Sequence, residues 1–438
     1  MPIKRIKQFK EHHAPKGSFK ANMLTLMTGT VVAQLITVAI SPVLTRLFSP
    51  SAFGIYGVYL SLVSIMIAVV TLRYDQALML PKDNQDAAAL FWVSFLSVIV
   101  FSITAGIVCL VFSAQILVIL KTPELGGWLF FLPFSVLFGG AYLTLNSWST
   151  RQKQFHRASV SQAIRATAVS GVQLSFGALH AGSGGLISGA VLGDLVSSFV
   201  LGVQVRRDDF QVLKKGLSWQ GMKTNGRHYA DFPLFSSTQN LLNAVSQNIP
   251  LLLLAKFFGS AVVGFYALGV RVIQFPMTLI QTSLRQVLFQ TVSEVYNAGG
   301  DTYVLFRKTT LGLIAVVIVP ASIIILFGPV IFGFVLGKEW VVAGEYARWL
   351  VLWLAVSFIN PPSTQFFQVY RKQEVLMFFD LILLLLRITV LTIGGLYLSP
   401  LQTIIIFSVA GAGINIFIVA YAWAFLRKTR LSGRKNES

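Results

Sequence analysis

The chain has 438 residues, of which 55% are hydrophobic and only 12% charged, and its mean hydropathy is +0.72. A soluble domain carries roughly 25% charged residues, so this chain has too little polar surface to face water on all sides. Apolar runs of about 20 residues recur, each long enough to cross a hydrocarbon core of ~30 Å. A backbone in lipid must satisfy its own hydrogen bonds, so these runs are predicted to be helices. The composition therefore predicts an all-α, multi-pass membrane protein.

The formal net charge of +19 does not indicate a nucleic-acid partner. Most of the 35 Lys and Arg residues fall in alternate loops, as the positive-inside rule requires, and this distribution places both termini in the cytoplasm. The single cysteine, Cys109, lies in an apolar run, and the histidines are dispersed apart from His12 and His13. A disulfide, a metal site and a cofactor are therefore not expected.

In chain order, the apolar pattern predicts about twelve membrane spans, an even number that agrees with two cytoplasmic termini. The predicted spans are 21–43, 52–72, 88–112, 125–148, 158–180, 183–205, 231–255, 261–282, 304–336, 345–370, 375–398 and 401–426. After the eighth span, Ser283–Asn297 has one apolar and one polar face. It is expected to extend that span along the cytoplasmic interface, as an anchor or as a moving gate.

A motif that occurs twice suggests that the chain is a tandem repeat. The first copy is Thr45–Tyr56 and the second is Ala255–Tyr266; at one constant offset Phe48 matches Phe258, Gly54 matches Gly264 and Tyr56 matches Tyr266. Each copy is predicted to form a short loop between two spans. Six spans in each repeat would insert the same way round, with a cavity between two bundles. The predicted divisions are a basic cytoplasmic arm (1–20), a first six-helix bundle (21–205), a basic cytoplasmic linker (206–230), a second bundle (231–426) and a basic tail (427–438).

Charged residues inside predicted spans are candidate functional residues, because arginine at the centre of a span costs roughly 2.5–3.5 kcal/mol. Arg271 and Arg387 lie mid-span, whereas Arg165 lies about two turns from a span end and can snorkel. Arg271, with Gln274 one turn away, is the favoured contact for phosphate oxygens. Arg165 is either a second such contact or the partner of Asp194 in a structural ion pair. Asp194 is also the candidate ion-coupling carboxylate.

Two spans carry polar stripes at helical spacing. The first span has Thr30, Gln34, Thr37 and Ser41; the seventh, which opens the second repeat, has Ser236, Asn240, Asn243 and Gln247. Such stripes can line a shared hydrophilic cavity or hydrogen-bond neighbouring helices. Under the first reading Gln34, Asn240, Asn243 and Gln247 would contact substrate.

No enzyme signature is found in the sequence, and no catalytic residue is proposed. The acidic pair Asp208-Asp209 could suggest a metal-binding site of a sugar transferase, but it adjoins Arg206-Arg207. It is more simply read as part of a charged, solvated linker.

The stretch Leu44-Thr-Arg-Leu-Phe-Ser-Pro-Ser-Ala-Phe-Gly-Ile-Tyr-Gly-Val-Tyr59, which follows a polybasic start, resembles the Wzx-type polysaccharide flippases. These belong to the multidrug/oligosaccharidyl-lipid/polysaccharide (MOP) superfamily, and the similarity in span organisation covers essentially the whole chain. The resemblance implies a MATE-like flippase fold with a V-shaped central cavity in the bacterial cytoplasmic (inner) membrane. The implied function is translocation of undecaprenyl-pyrophosphate-linked oligosaccharide by alternating access, for O-antigen, capsule or exopolysaccharide synthesis.

The expected partners are the lipid-linked oligosaccharide and membrane lipid, with a polysaccharide polymerase and a chain-length regulator as further candidates. Two other functions remain open at the sequence level. A MATE-like drug or metabolite antiporter should bury more acids than arginines, which this sequence does not do. A membrane-embedded glycan polymerase or glycosyltransferase should have a long extracytoplasmic loop, and none is predicted.

Overall fold

The structure is a computed structural model that describes residues 19–436. Within that range the side chains of residues 19–28, 30, 282, 283, 286 and 431–436 are not described. Most of the predicted basic arm, and the Thr30 side chain of the first polar stripe, therefore lie outside the described residues.

Residues 19–436 are helical almost throughout, and no strand occurs among them. Short 3-10 segments precede α5 and α12, and a π-helical turn precedes α9. The helices are α1 (Phe19–Leu47), α2 (Pro50–Val70), α3 (Tyr74–Ala77), α4 (Asn84–Leu120), α5 (Leu132–Arg151), α6 (Phe155–Ala178), α7 (Ser183–Gly216), α8 (Trp219–His228), α9 (Ser237–Phe258), α10 (Ser260–Asn297), α11 (Thr302–Leu336), α12 (Val341–Ile359), α13 (Pro361–Val369), α14 (Gln373–Tyr397) and α15 (Pro400–Asn436).

Each of the twelve predicted spans lies in helical structure, although the fourth begins in a 3-10 segment and the tenth is divided at Asn360 between α12 and α13. The all-α, multi-pass fold class is confirmed. By length and composition, 10 helical segments are able to cross a membrane, and the described part of α1 adds the shorter apolar segment Val31–Leu47. Helix α6 is not among the 10 because Ser, Gln and Arg side chains interrupt its apolar sequence.

The chain divides into two compact units. The first contains residues up to Phe48 together with Tyr59–Asn248, and the second contains Ser49–Val58 and the residues from Ile249 onward. In the first unit, α6 packs extensively on both α1 and α7, and a core around Trp148 joins α4, α5 and α7. In the second unit, an aromatic core around Phe306 joins α10, α11, α13, α14 and α15.

The segment predicted as a loose linker is mostly helical. Helix α7 continues through the basic residues to Gly216, and α8 fills most of the remainder, with Ser218 capping its first turn. The prediction of a solvated loop around Asp208 and Asp209 is therefore wrong. The predicted tail is likewise a continuation of α15 to Asn436.

The amphipathic segment after the eighth span is a continuous extension of α10, as predicted, and part of its apolar face packs inside the second unit. Leu288 and Val292 are buried in the aromatic core of the second unit, against Phe306, Phe366 and Phe367. The sequence shows an apolar face, and neighbouring helices in the same unit provide the surface that covers it.

The two copies of the repeated motif are mainly helix starts rather than loops. Only Phe48 and Ser49 separate α1 from α2, and only Gly259 separates α9 from α10. Pro50 takes the first position of α2, where its missing N–H has no cost, and the Ser49 hydroxyl accepts from Ala52 N at 3.3 Å. Gly259 has a φ of 84°, which favours glycine.

Within the second unit the two copies lie directly against each other. A Cβ on Gly54 would be 1.7 Å from the Ser260 carbonyl oxygen, and one on Gly264 would be 1.9 Å from that of Pro50. The Ser51 and Ser260 hydroxyls also hydrogen-bond at 2.6 Å. The matched glycines of the repeat are therefore the points where the two backbones meet, which explains physically why both copies have glycine at this position.

Candidate substrate-binding site

Arg165 and Asp194, predicted on neighbouring spans, form an ion pair in the first unit. Arg165 Nε donates to Asp194 Oδ1 at 2.5 Å, and the side chains are 45% and 11% exposed, respectively. The pair joins α6 to α7 and acts electrostatically on the half-buried Tyr142 of α5. The structural alternative considered for Arg165 is thus observed.

A second ion-pair cluster in the first unit was not anticipated from the sequence. Arg157 of α6 donates to Asp209 Oδ2 at 2.6 Å and to Asp208 Oδ2 at 2.9 Å, and Trp148 Nε1 donates to Asp209 Oδ2 at 3.3 Å. Arg157 is buried. The acidic pair therefore clamps α7 to α5 and α6. In the sequence, Asp208-Asp209 stand out only as two carboxylates beside Arg206-Arg207. That pattern does not identify Arg157, some 50 residues earlier, as their partner.

The connection between α2 and α4, which includes the short helix α3, is held by hydrogen bonds to other parts of the first unit. The Tyr74 hydroxyl donates to the Gly226 carbonyl at 2.9 Å, and burial raises the pKa of that hydroxyl. Arg151 donates to the carbonyls of Leu78 and Pro81 at 2.9 and 2.8 Å. These contacts use basic and phenolic groups to hold the loop, so this part of the basic surface is committed to structure.

The polar stripes of α1 and α9 are only partly available to a ligand. The Thr37 and Ser41 hydroxyls donate to carbonyls one turn back in α1, at 2.9 and 2.8 Å. Gln34 is half-buried, and among the described residues its buried Oε1 has no donor within hydrogen-bond distance. Asn240 Nδ2 donates to the Ala68 carbonyl at 2.7 Å, near the end of α2 where carbonyls lack helical donors.

Asn243 and Gln247, the other predicted contacts on α9, are exposed. Their neighbour Asn248 donates to the Ser64 hydroxyl at 3.1 Å and to the Ala244 carbonyl at 2.8 Å. Asn240 and Asn248 therefore join α9 to α2, whereas Asn243 and Gln247 remain accessible. Part of the polar stripe on α9 therefore packs against α2, and the rest forms an exposed polar surface.

Arg271 is exposed in the middle of Ser260–Gln281, a segment able to span a membrane. Gln274 lies one turn further along α10 and is half-buried. Among the described side chains, no carboxylate oxygen lies within 4.0 Å of the Arg271 guanidinium. Its five N–H donors are therefore not committed to an acidic neighbour.

Arg387, the other mid-span arginine of the second unit, has a different environment. It is only 3% exposed, and its Cζ lies 5.3 Å from the centroid of the Trp353 ring, which packs edge-to-face on Phe407. The buried Tyr266, from the second copy of the repeated motif, and Asp380 act electrostatically on it. This arginine is enclosed by its own unit and is not presented to a ligand.

The predicted residues thus form two groups. The first unit contains Gln34, Arg165, Asp194, Asn240, Asn243 and Gln247, and the second contains Arg271 and Gln274. Arg165 and Asp194 are in direct contact, and Gln274 lies one turn from Arg271 on the same helix. No group of three His, Cys, Asp or Glu side chains within the described residues is arranged to hold a metal ion. The available chemistry is anion binding through guanidinium and amide donors.

Residues 43–345 match a family model described as Polysaccharide biosynthesis protein. No match to a curated protein is found. The fold resembles a structure described as the lipid II flippase MurJ in an inward closed conformation, with a TM-score of 0.68, 12% identity, and coverage of 91% of this chain and 87% of that chain.

It also resembles two structures of a multidrug resistance MATE family transporter of the MOP superfamily. The inward-facing structure gives a TM-score of 0.61 at 16% identity, covering 94% of this chain and 96% of that chain. The outward-facing structure gives 0.55 at 16% identity, covering 95% and 97%. At these identities the likeness shows the fold, and the MATE-like fold expected from the sequence is confirmed.

Proposed function

Since the chain belongs to the polysaccharide biosynthesis protein family and has the fold of MATE transporters and the flippase MurJ, we propose that it is a flippase for lipid-linked oligosaccharide. The proposed substrate is an undecaprenyl-pyrophosphate-linked repeat unit, carried across the bacterial cytoplasmic membrane by alternating access. The products would be the repeat units of O-antigen, capsule or exopolysaccharide. Transport, not catalysis, is the proposed activity.

The observation that carries this proposal is the Arg271 guanidinium, exposed in mid-span without a carboxylate neighbour among the described side chains. An arginine that faced lipid at this depth would cost roughly 2.5–3.5 kcal/mol, so we propose that it faces a water-filled path. The planar fork of donors on arginine matches two phosphate oxygens. The Gln274 amide, one turn away, would then contact the pyrophosphate or the first sugar.

Polar groups of the first unit are proposed, separately from Arg271, as contacts for sugar hydroxyls. Asn243 and Gln247 are exposed amides on α9, and Gln34 has a buried amide oxygen without a donor among the described residues. Amide groups suit sugar hydroxyls because they offer both donors and acceptors. Arg165 would add a second positive edge, limited by its contact with Asp194.

Asp194 is the proposed coupling carboxylate. Its side chain is 11% exposed and accepts from Arg165 Nε at 2.5 Å. A proton or another cation that competes with Arg165 for this carboxylate would release the guanidinium. The exchange would link an ion gradient to the conformation of α6 and α7.

A strain deleted for this gene tests the proposal when its lipid-linked oligosaccharides are fractionated by leaflet. We expect complete repeat units to accumulate on the cytoplasmic leaflet and surface glycan to be lost, with both defects reversed by the wild-type gene. Incomplete units on the lipid, or finished units left unpolymerised outside, would contradict the proposal and favour an enzyme. A strain with normal surface glycan but increased sensitivity to organic cations would favour a MATE-like antiporter.

A further inference from the structure

A groove in the second unit lies apart from the residues discussed so far. It is an open groove formed by α11, α12 and α15, with a volume of about 670 Å³. Ile314, Val356 and Ile416 contribute to its apolar wall, and Trp423 lies towards the end where Arg427 and Lys428 line it. All of these residues belong to the one unit.

Among the described residues, the apolar wall of the groove is only partly covered by protein. Ile416 is 56% exposed and Ile314 is 36% exposed, and both belong to segments able to cross a membrane. Burying such surface against hydrocarbon is favourable by roughly 25 cal/mol for each Å². In a bilayer the natural filling for this wall is therefore an acyl chain.

The basic residues lie at one end of the groove, so its two ends differ in chemistry. Arg427 and Lys428 are both exposed, and Arg307 and Lys308 are exposed about two turns before Ile314 on α11. A tryptophan between an apolar wall and a cationic end is typical of the headgroup layer. The groove thus presents a cationic end at the predicted cytoplasmic side and an apolar end within the membrane.

The length of the groove fits one leaflet. From Ile416 to Arg427 the α15 backbone rises by roughly 16 Å, at about 1.5 Å per residue. Half of a ~30 Å hydrocarbon core is about 15 Å. A lipid with its phosphate at Arg427 and Lys428 would therefore place its acyl chains beside Ile416.

We propose that this groove binds an anionic phospholipid of the cytoplasmic leaflet, distinct from the transported substrate. Among the described residues that line the groove, the charged side chains are two cations, which complement one phosphate. None of these described lining residues has an amide or hydroxyl side chain to recognise a sugar. A bound phospholipid would brace α11, α12 and α15 at one end of the bundle.

The test is native mass spectrometry of the detergent-purified full chain titrated with phosphatidylglycerol and, separately, with phosphatidylcholine. We expect one phosphatidylglycerol bound in preference to phosphatidylcholine. Arg427→Ala/Lys428→Ala should weaken it about thirtyfold, the fold-change that corresponds to about 2 kcal/mol for two cations near a phosphate. Ala420→Trp fills the apolar part of the groove and should weaken the same adduct while leaving both cations in place.

The matched control is Lys214→Ala/Lys215→Ala, which removes an exposed basic pair from the first unit. We expect it to leave the adduct unchanged. Equal loss of binding in this control, equal affinity for phosphatidylcholine, or retention of the adduct in both groove variants would overturn the proposal. So would stronger binding of undecaprenyl phosphate than of phosphatidylglycerol at Arg427 and Lys428, because the groove would then belong to the carrier lipid.

Discussion

The arginines described above, which lie in or beside membrane spans, have different surroundings in the two units. In the first, Arg165 within a span meets Asp194 at 2.5 Å, and Arg157 next to the start of that span meets Asp209 at 2.6 Å, so both cations are matched by carboxylates in direct contact. In the second, Arg387 is enclosed beside Trp353, and Arg271 is exposed without a carboxylate within 4.0 Å among the described side chains. An arginine in a span is therefore not by itself a binding residue. Whether it can bind a ligand depends on whether its guanidinium already contacts a carboxylate or is buried against other side chains.

The largest loss of stability is expected when Arg157, a paired cation of the first unit, is replaced. Arg157→Met would leave the Asp209 carboxylate, whose side chain is 15% exposed, without its main partner. Loss of one member of a buried pair costs about 3–5 kcal/mol, and partial exposure of Asp208 places the expected loss near the lower end. Thermal unfolding in detergent measures this effect.

The control for that variant is Arg206→Met on the same helix as Asp208 and Asp209. Arg206 is exposed, and exposed substitutions usually change stability by less than about 0.5 kcal/mol. Equal stability of the Arg157→Met and Arg206→Met proteins would show that the cluster does not hold α5, α6 and α7 together.

Two variants of the second unit, Arg387→Ala and Arg271→Ala, test whether its two mid-span arginines have different roles. Arg387→Ala would open a void against Trp353 and Phe407 and should destabilise the protein by about 3 kcal/mol. Arg271→Ala removes an exposed side chain and should change stability by less than about 0.5 kcal/mol. If Arg271→Ala destabilised as much as Arg387→Ala, Arg271 would be structural and the proposed site would be lost.

A smaller loss of stability than at Arg157 or Arg387 is expected at the Arg165–Asp194 ion pair, because its arginine is partly exposed. Asp194→Asn keeps an oxygen that can accept from Arg165, and Arg165 is 45% exposed to screening, so the expected loss is about 1 kcal/mol or less. Transport by this variant should lose its dependence on pH or on the coupling ion. An unchanged dependence in a normally folded protein would remove Asp194 from the coupling proposal.

The fold was largely predictable, because length and hydropathy decide which segments can exist as helices in lipid. Oppositely charged residues on consecutive spans also suggested the Arg165–Asp194 pair as one of two alternatives for Arg165, and this pair is present in the structure. Three features were not predictable. The partner of Asp209 is Arg157, far away in sequence; the apolar face of α10 is covered by α11, α13, α14 and α15; and the linker continues α7 as helix. Each depends on which helices become neighbours, and helix periodicity alone does not specify that.

The repeated motif is a further case in which the sequence does not specify which segments become neighbours. The sequence identified Gly54 and Gly264 as equivalent, and the structure places them in contact within one unit. Equivalence in sequence gave no indication that the two copies would face each other. Only the lack of room for a Cβ at either position reveals why glycine occurs in both.

The most direct test of the central claim is translocation of undecaprenyl-pyrophosphate-linked oligosaccharide in reconstituted vesicles, followed by the fraction that an external glycosidase can cleave. With the wild-type protein we expect cleavage to approach completion, whereas protein-free vesicles should stop at the outer-leaflet fraction. Arg271→Ala should slow translocation roughly tenfold to hundredfold, the range for a lost charged hydrogen bond, while Arg206→Met should not. Wild-type rates from Arg271→Ala, or no acceleration by the wild-type protein, would contradict the account.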